Sequence, residues 1–150
     1  MIQLRHTGFY VQNLERMVDF YKTAFSMHVL CHAQEQHDPL IVDLLRSPKA
    51  CVRISKLLTE QGKASGFDDM LELIEVTAPS SCIIGGDRYP IYAAGSAHLG
   101  FGVDDMKATL EAFQTVGGKL ITEVRQMPNG KKCCFGQDIE GNYLEIIGAR

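Results

Sequence analysis

Residues 97–106 read AHLGFGVDDM, and residues 5–14 read RHTGFYVQNL. The two stretches share a His, a Gly, a Phe and a Val at the same relative positions. A second match follows later in each half, where LELI at 71–74 corresponds to LEII at 144–147. The chain therefore contains two units of similar sequence, and each unit carries one His near its start and one Glu near its end.

The duplicated residues are His6, Glu72, His98 and Glu145. Duplication places equivalent residues around a pseudo-two-fold axis, where four side chains can converge on one ion. Two imidazoles and two carboxylates suit Zn, Ni, Co, Mn or Fe(II). Each residue alone also fits a plainer interpretation, a surface His or the exposed half of an alternating strand. The repetition favours a shared metal site.

Hydrophobic periodicity predicts one strand–helix opening in each unit. The clearer elements are strands at 2–11, 51–58, 70–76, 97–103, 119–124 and 143–147, and helices at 14–25 and 105–116. Each unit then reads as strand–helix–strand–strand–strand, which predicts an α+β fold of two βαβββ modules.

Other segments are less regular. A short strand is predicted at 30–33, and 40–45 fits either a strand or a short helix. Residues 61–69 are rich in Gly, Ser and charge and are predicted to form a loop. Asn129-Gly130 predicts a two-residue hairpin turn between strands at about 123–127 and 131–135.

The domain organisation follows from the repeat. We expect a single domain over 1–150, made of module 1 (1–77), a connection (78–96) and module 2 (97–150). At 150 residues the chain is long enough to bury one shared core. In the connection, prolines and glycines break regular structure.

Composition excludes several function classes. A net charge of −3 with scattered basic residues predicts no nucleic-acid partner. No apolar run approaches the ~20 residues of a membrane span, and no signal-peptide core is visible, so cytoplasmic residence is expected. Five cysteines without CxxC spacing do not form the pattern of a disulfide framework or a thiolate zinc site.

These motifs resemble the vicinal oxygen chelate superfamily, the glyoxalase I, bleomycin-resistance and extradiol dioxygenase group. The resemblance covers nearly the whole chain. It is carried by the His6 strand with the helix NLERMVDFYK at 13–22, by LELI at 71–74, by AHLGFGVDD at 97–105 and by DIEGNYLE at 138–145. In the last stretch, Ile139-Glu140 replaces the family's usual Pro-Asp.

The resemblance implies two βαβββ modules whose curled mixed sheets form a metal-centred cleft, often within a homodimer. It implies that His6, Glu72, His98 and Glu145 occupy the four metal-ligand positions of glyoxalase I and of methylmalonyl-CoA epimerases. Glyoxalase I usually carries an Arg four residues after its first His. Tyr10 stands there in this chain, so the resemblance does not imply glutathione as a cosubstrate.

The resulting hypothesis is a metal-dependent isomerase, epimerase or lyase acting on a small carbonyl substrate through an enediolate or enolate. Glu72 or Glu145 would move the proton between neighbouring carbons. Two alternatives stay open, an Fe(II) ring-cleaving dioxygenase and a metal-free protein that binds a small ligand. Arg53 and Arg88 are candidates for binding an anionic substrate group, and Tyr92 and Phe101 for lining the cleft.

Overall fold

The computed structural model describes residues 5–66, 69–79 and 90–148. The chain forms two compact units, Met1–Lys22 with Ser26–Ile84, and Thr23–Phe25 with Gly85–Arg150. Arg88 and Cys82 lie outside the described residues, as do the first residues of the strand predicted at 2–11. Among the described residues, no helix is both long and apolar enough to span a bilayer.

The first unit is a four-stranded mixed sheet with three helices among its described residues. Its elements are β1 (His6–Val11), α1 (Leu14–Phe25, whose last three residues belong to the second unit), β2 (His28–Gln36), α2 (Pro39–Leu45), β3 (Cys51–Leu58), α3 (Glu60–Ser65) and β4 (Met70–Ala78). The strand order is β1-β4-β3-β2. The first and last strands pair in parallel, and the other neighbours pair antiparallel.

The second unit repeats this arrangement. Its elements are β5 (His98–Val103), α4 (Met106–Thr115), β6 (Lys119–Leu120), β7 (Arg125–Gln126), β8 (Lys132–Gln137) and β9 (Tyr143–Gly148). The strand order is β5-β9-β8-β6, and β7 also pairs with β8. Again the first and last strands are parallel. The predicted α+β fold of two βαβββ modules with mixed sheets is confirmed.

The two faces of the first sheet have different roles. In β4, Leu71 and Leu73 are buried, and Glu75 on the same face accepts a hydrogen bond from the Leu14 backbone N–H at the start of α1. This face therefore lies toward α1. Glu72 lies on the opposite face, because successive strand residues alternate between faces. Part of that opposite face packs against α2, where Ile41 clusters with Val52 and Ile54.

The second sheet has the same two-sided organisation. Leu144 and Ile146 of β9 are fully buried, and Gly148, two residues further along, lies against Met106 at the start of α4. Glu145 alternates with these residues and faces away from the helix. In both units the apolar neighbours of the glutamate build the core, and the carboxylate lies on the other side of the sheet.

Several predicted elements differ from the structure. The segment predicted as a loop at 61–69 is wrong in part, because α3 occupies Glu60–Ser65. Thr59 caps this helix by accepting a hydrogen bond from the Gly62 backbone N–H at 3.0 Å. A side-chain cap and helix-compatible residues such as Glu60 are sufficient for one short helix despite the Gly and Ser content.

Other boundaries also shift. The strand predicted at 30–33 extends over His28–Gln36, with irregular pairing to β3 and a left-handed residue at Ala33 (φ 50°). The ambiguous segment at 40–45 is a helix, capped by Asp38 with Pro39 in its first turn. The strand predicted at 119–124 pairs only over Lys119–Leu120. A hairpin forms between β7 and β8, but its connection is longer than the predicted two residues: Gln126 pairs with Lys132, and the Gly130 backbone N–H donates to the Met127 carbonyl at 2.8 Å.

The turn before β9 is organised by one buried carboxylate. Asp138 is 3% exposed, and its Oδ1 accepts hydrogen bonds from the backbone N–H groups of Glu140 and Asn142, both at 2.9 Å. Its Oδ2 accepts from the Asn142 side-chain amide at 2.6 Å. Gly141 takes a left-handed conformation (φ 84°) that a residue with a side chain adopts at a cost. The turn sets the start of the strand that carries Glu145.

We expect Asp138→Ala to lower the free energy of unfolding by about 2–4 kcal/mol, because it leaves buried donors without their charged acceptor. Urea denaturation measures this loss. Asp104→Ala, at an exposed position before α4, is the control and should change stability by less than about 0.5 kcal/mol. Equal stability of the two variants would contradict a structural role for this carboxylate.

Candidate metal centre

His6 and Glu72 are brought together by the parallel pairing of β1 and β4. His6 lies opposite Met70, and Gly8 lies opposite Glu72. Glu72 therefore follows Met70, the residue that faces His6, by two positions on the neighbouring strand. The His6 and Glu72 side chains extend from the same face of the sheet. The His6 Nε2 atom is 3.5 Å from the Glu72 Oε2 atom.

The second unit has the same register. His98 lies opposite Tyr143, and Gly100 lies opposite Glu145. The His98 Nε2 atom is 3.4 Å from the Glu145 Oε2 atom. The repeat seen in the sequence is thus a repeat of geometry, with an imidazole and a carboxylate at matching diagonal positions of a parallel strand pair. We call each such pair a half-site.

Exposure differs between the members of each half-site. The imidazoles are the open members, with 48% of the His6 side chain and 42% of the His98 side chain exposed. The carboxylates are more enclosed, at 11% for Glu72 and 25% for Glu145. A ligand approaching from solvent would meet the imidazole edge first and the carboxylate behind it.

A glycine lies across from each carboxylate, and Gly100 leaves space open beside Glu145. Gly8 and Gly100 stand directly across from the two glutamates. A Cβ atom added at Gly100 would lie 3.9 Å from the Glu145 Oε2 atom, so a larger side chain there would occupy the approach to this oxygen. An added Cβ atom at Gly8 would meet the Ile74 side chain at 3.5 Å.

The other neighbour of each glutamate differs between the units. Lys56 of β3 faces Glu72, and its Nζ atom is 3.1 Å from Glu72 Oε1. Phe135 of β8 faces Glu145, and its ring stands edge-on to the His98 imidazole with the ring centres 5.3 Å apart. Sequence reasoning missed both neighbours, since nothing in the chain specifies which residue of an antiparallel partner lies opposite a given glutamate.

The donor atoms of each half-site fit a divalent metal ion. Two ligand atoms about 2.1 Å from one ion at a tetrahedral angle are about 3.4 Å apart. The 3.5 Å and 3.4 Å separations match that value and exceed the ~2.7–3.2 Å range of N–H···O hydrogen bonds. Across residues 5–66, 69–79 and 90–148, no group of three or more His, Cys, Asp or Glu side chains that could hold a metal ion is found.

The remaining candidate residues have other surroundings. Arg53 contacts both Glu15 and Glu75 (Nη1 to Oε2 of Glu75, 2.9 Å), on the face toward α1, and its guanidinium is engaged there. Phe101 is 7% exposed and stacks on Phe25 with ring centres 3.9 Å apart, so it belongs to a core. Tyr92 is 88% exposed.

Two further histidines lie in separate ion pairs. His32 Nε2 is 2.8 Å from Glu15 Oε2, and His28 contacts Glu60. The two carboxylates lie on different helices, Glu15 on α1 and Glu60 on α3. Tyr10 is on the same face of β1 as His6 and is 53% exposed.

The Glu15–Arg53 contact gives a pH prediction. The hydrogen bond from Arg53 lowers the pKa of Glu15 below its ordinary 4.5, and desolvation opposes this shift. A carboxyl whose pKa is lower in the folded state stabilises the fold above its unfolded pKa, and this contribution is lost as pH falls through the folded pKa. We expect Glu15→Gln to lower the melting temperature slightly at pH 7, and the difference from wild type to vanish at pH values below the folded-state pKa. A difference that is constant with pH would contradict this explanation.

The sequence and fold were compared with those of known proteins. Residues 3–146 match the family model described as the Glyoxalase/Bleomycin resistance protein/Dioxygenase superfamily. A lactoylglutathione lyase from Haemophilus influenzae is 26% identical over 147 residues, which cover 97% of this chain and 92% of that protein.

Solved structures give the same fold. A glyoxalase family protein from Bacillus cereus superimposes with a TM-score of 0.84 at 18% identity, over 99% of this chain and 94% of the other. A fosfomycin resistance protein from Mesorhizobium loti has a TM-score of 0.61 at 16% identity, over 100% and 95% of the two chains. With matched modules, matched half-sites and a family model spanning nearly its whole length, this chain belongs to the Glyoxalase/Bleomycin resistance protein/Dioxygenase superfamily.

Proposed function

We propose that the protein is a metal-dependent isomerase, epimerase or lyase of the glyoxalase type that acts on a small carbonyl compound. His6, Glu72, His98 and Glu145 together supply the ligands of one divalent ion, which is Zn, Ni, Co, Mn or Fe. The two half-sites come from one chain or from the two chains of a homodimer. The modules at 1–77 and 97–150 act as one domain in the cytoplasm.

The observation that carries the proposal is the pair of equal His–Glu separations at equivalent positions of two modules. A surface ion pair need not keep the same register and nearly the same distance in both copies of a duplicated unit. A shared ligand does require such a repeat, because two half-sites around one ion must offer their donors in similar geometry. The mixed imidazole and carboxylate set suits a borderline metal.

The reaction follows from the chemistry of these side chains. His6, Glu72, His98 and Glu145 would hold the ion, which would supply Lewis-acid polarisation of the carbonyl group of the substrate. One glutamate, Glu72 or Glu145, takes the proton from the carbon beside the carbonyl group and returns it to the neighbouring carbon. The imidazoles of His6 and His98 would serve as ligands of the ion, and the Phe135 ring packs edge-on against that of His98.

The related lyase bears on the substrate class. The Haemophilus influenzae protein is a lactoylglutathione lyase, and its similarity over nearly the whole chain supports lyase or isomerase chemistry on a carbonyl compound. Tyr10 occupies the position at which glyoxalase I usually has an Arg. We therefore propose a carbonyl substrate that does not depend on glutathione for recognition.

The test begins with metal content. Protein purified without an affinity tag or chelator should contain about one Ni, Zn, Co or Mn per chain by elemental analysis, or take up that amount on reconstitution. The metal-loaded protein is then incubated with a panel of small carbonyl compounds in ²H₂O. Incorporation of deuterium at the carbon next to the carbonyl group, detected by NMR, reports the proposed proton transfer directly.

Other results identify the rival functions. Stoichiometric iron with oxygen consumption on catechols would make the protein a ring-cleaving dioxygenase. Absence of metal after reconstitution with each of the five ions would leave a metal-free binding protein and remove the proposal. Metal binding without deuterium exchange on any compound of the panel would remove the proton-transfer step.

A further inference from the structure

The two half-sites share a His, a Gly and a Glu but differ in the residue beside the glutamate. The residue that faces the glutamate from the antiparallel side is Lys56 in the first unit and Phe135 in the second. One half-site therefore has a cationic side chain beside its glutamate, and the other has an aromatic side chain there. The residues opposite the histidines also differ, Met70 in the first unit and Tyr143 in the second, but the exchange of Lys56 for Phe135 is the difference that changes the charge beside the carboxylate.

The two oxygens of Glu72 have different partners. Oε2 lies 3.5 Å from the His6 Nε2 atom, while Oε1 lies 3.1 Å from the Lys56 Nζ atom. Lys56 is only 30% exposed along its side chain. Its two cross-strand neighbours are Glu72 and Cys31, and Ile54 and Leu58 flank it on its own strand and are buried. The ammonium group is thus held in a partly apolar setting beside a candidate ligand.

The balance of charges at the candidate metal site indicates a role for Lys56. In the protein without metal, Glu72 balances Lys56. Two carboxylates balance one divalent ion, and the two metal-binding imidazoles are neutral. Metal binding would then leave Lys56 as an uncompensated positive charge in a half-buried position, which is unfavourable unless an anion joins it.

We infer that Lys56 binds an anionic oxygen group of the substrate, so that the substrate is a small carbonyl compound carrying a carboxylate or a phosphate. This inference rests on the proposed function, because it assigns the anion to the same substrate whose carbonyl group undergoes proton transfer. Lys56 is the partner of Glu72 in the resting protein and of the substrate anion in the complex. A compact ammonium with three donors suits either kind of anion.

The experiment uses the Co²⁺-loaded protein and two probes, one that carries an anionic group and one in which that group is made neutral. Succinic monohydroxamic acid carries a metal-binding hydroxamate and a separate carboxylate, and its amide-capped analogue carries the hydroxamate alone. Titration followed by the visible absorption of Co²⁺ gives the dissociation constant of each probe. Wild type should bind the carboxylate probe about tenfold more tightly than the capped probe, as expected for one charge-assisted contact.

The variants separate anion binding from a structural role. Lys56→Met should abolish the preference and leave the affinity for the capped probe within about threefold, while Lys56→Arg should keep most of the preference. Lys63→Met, on the exposed surface of α3, is the matched control and should keep the preference. Lys56→Met should also bind Co²⁺ more tightly in the absence of any probe, because a like charge is removed.

Three results would overturn the inference. The first is equal binding of both probes by wild type, and the second is an unchanged preference for the carboxylate probe in Lys56→Met. The third is that Lys56→Met also loses affinity for the capped probe, which would mean that Lys56 only holds Glu72 in place. Failure of the proposed function is recognised separately, because in that case wild type would bind neither Co²⁺ nor either hydroxamate.

Discussion

Of the two variants Glu145→Gln and Glu72→Gln, the one that replaces the proton-transferring glutamate is expected to lower kcat/KM by about 10²–10⁴-fold, the range attributed to general acid–base catalysis. Gln keeps the size of Glu and offers one carbonyl oxygen, but it cannot take up the substrate proton. The measurement is the rate of deuterium exchange or product formation on a compound selected from the carbonyl panel. Circular dichroism and metal content establish that each variant remains folded and loaded.

The two glutamate variants should differ in stability. Glu72 is 8% exposed and paired with Lys56, so Glu72→Gln leaves a half-buried ammonium without its carboxylate. Glu145 lies beside Phe135, and its replacement leaves no such charge. Glu75→Gln is the matched control, because it changes the same strand on the face toward α1. It should lower stability through loss of the Arg53 contact and leave turnover unchanged. Full turnover in both Glu72→Gln and Glu145→Gln would remove the proposed proton transfer.

His6→Ala combined with His98→Ala is expected to reduce metal affinity by at least about 100-fold, since each substitution removes a direct ligand and even outer-shell changes alter affinity by about 10–100-fold. Both side chains are nearly half exposed, so the fold should tolerate the double substitution. Elemental analysis and calorimetric titration with Co²⁺ measure the effect.

The control for the histidine variants is His28→Ala, which removes an imidazole paired with Glu60 and distant in sequence from the candidate ligands. It should bind metal as wild type does. Retention of one ion per chain by the double histidine variant would show that the metal lies elsewhere, and the candidate ligands would then be ordinary ion pairs.

Much of the fold could be predicted because its signals are local. The helix over Leu14–Phe25 has a buried stripe and an Asn13 cap whose side chain accepts from the Arg16 backbone N–H at 3.0 Å. In the connection between β7 and β8, Gly130 takes a left-handed conformation (φ 84°) that glycine adopts readily. In such segments, short-range periodicity, capping and turn chemistry agree with the final structure.

The segments that were predicted wrongly depend on distant partners. The short helix at Glu60–Ser65 is supported by Asp69, whose side chain contacts Thr59, and no helical periodicity marks it in the sequence. The strand at His28–Gln36 is longer than predicted because β3 pairs with it past an irregularity. The short pairing of Lys119–Leu120 likewise depends on where β8 runs.

The candidate site also has a part that the sequence predicts and a part that depends on the fold. His6, Glu72, His98 and Glu145 could be selected from the sequence because the chain repeats them. Their diagonal arrangement on parallel strands needs the register of the sheet, and Lys56 becomes visible only when its cross-strand position is known. The two ion pairs of Arg53 also depend on carboxylates that are far from it in the sequence, those of Glu15 and Glu75.

The parallel pairing of the first and last strands of each module has a consequence for folding. The two members of each half-site come from opposite ends of a module, so they meet only after nearly all of the module's chain has been ordered. Contacts of this kind form slowly, because a long loop must close before they give any stabilisation. A ligand that binds both members then favours the fully folded state over every partly folded one, by an amount that grows with its concentration. Each half-site would thus form late in folding, and ion binding would report whether its module is completely folded.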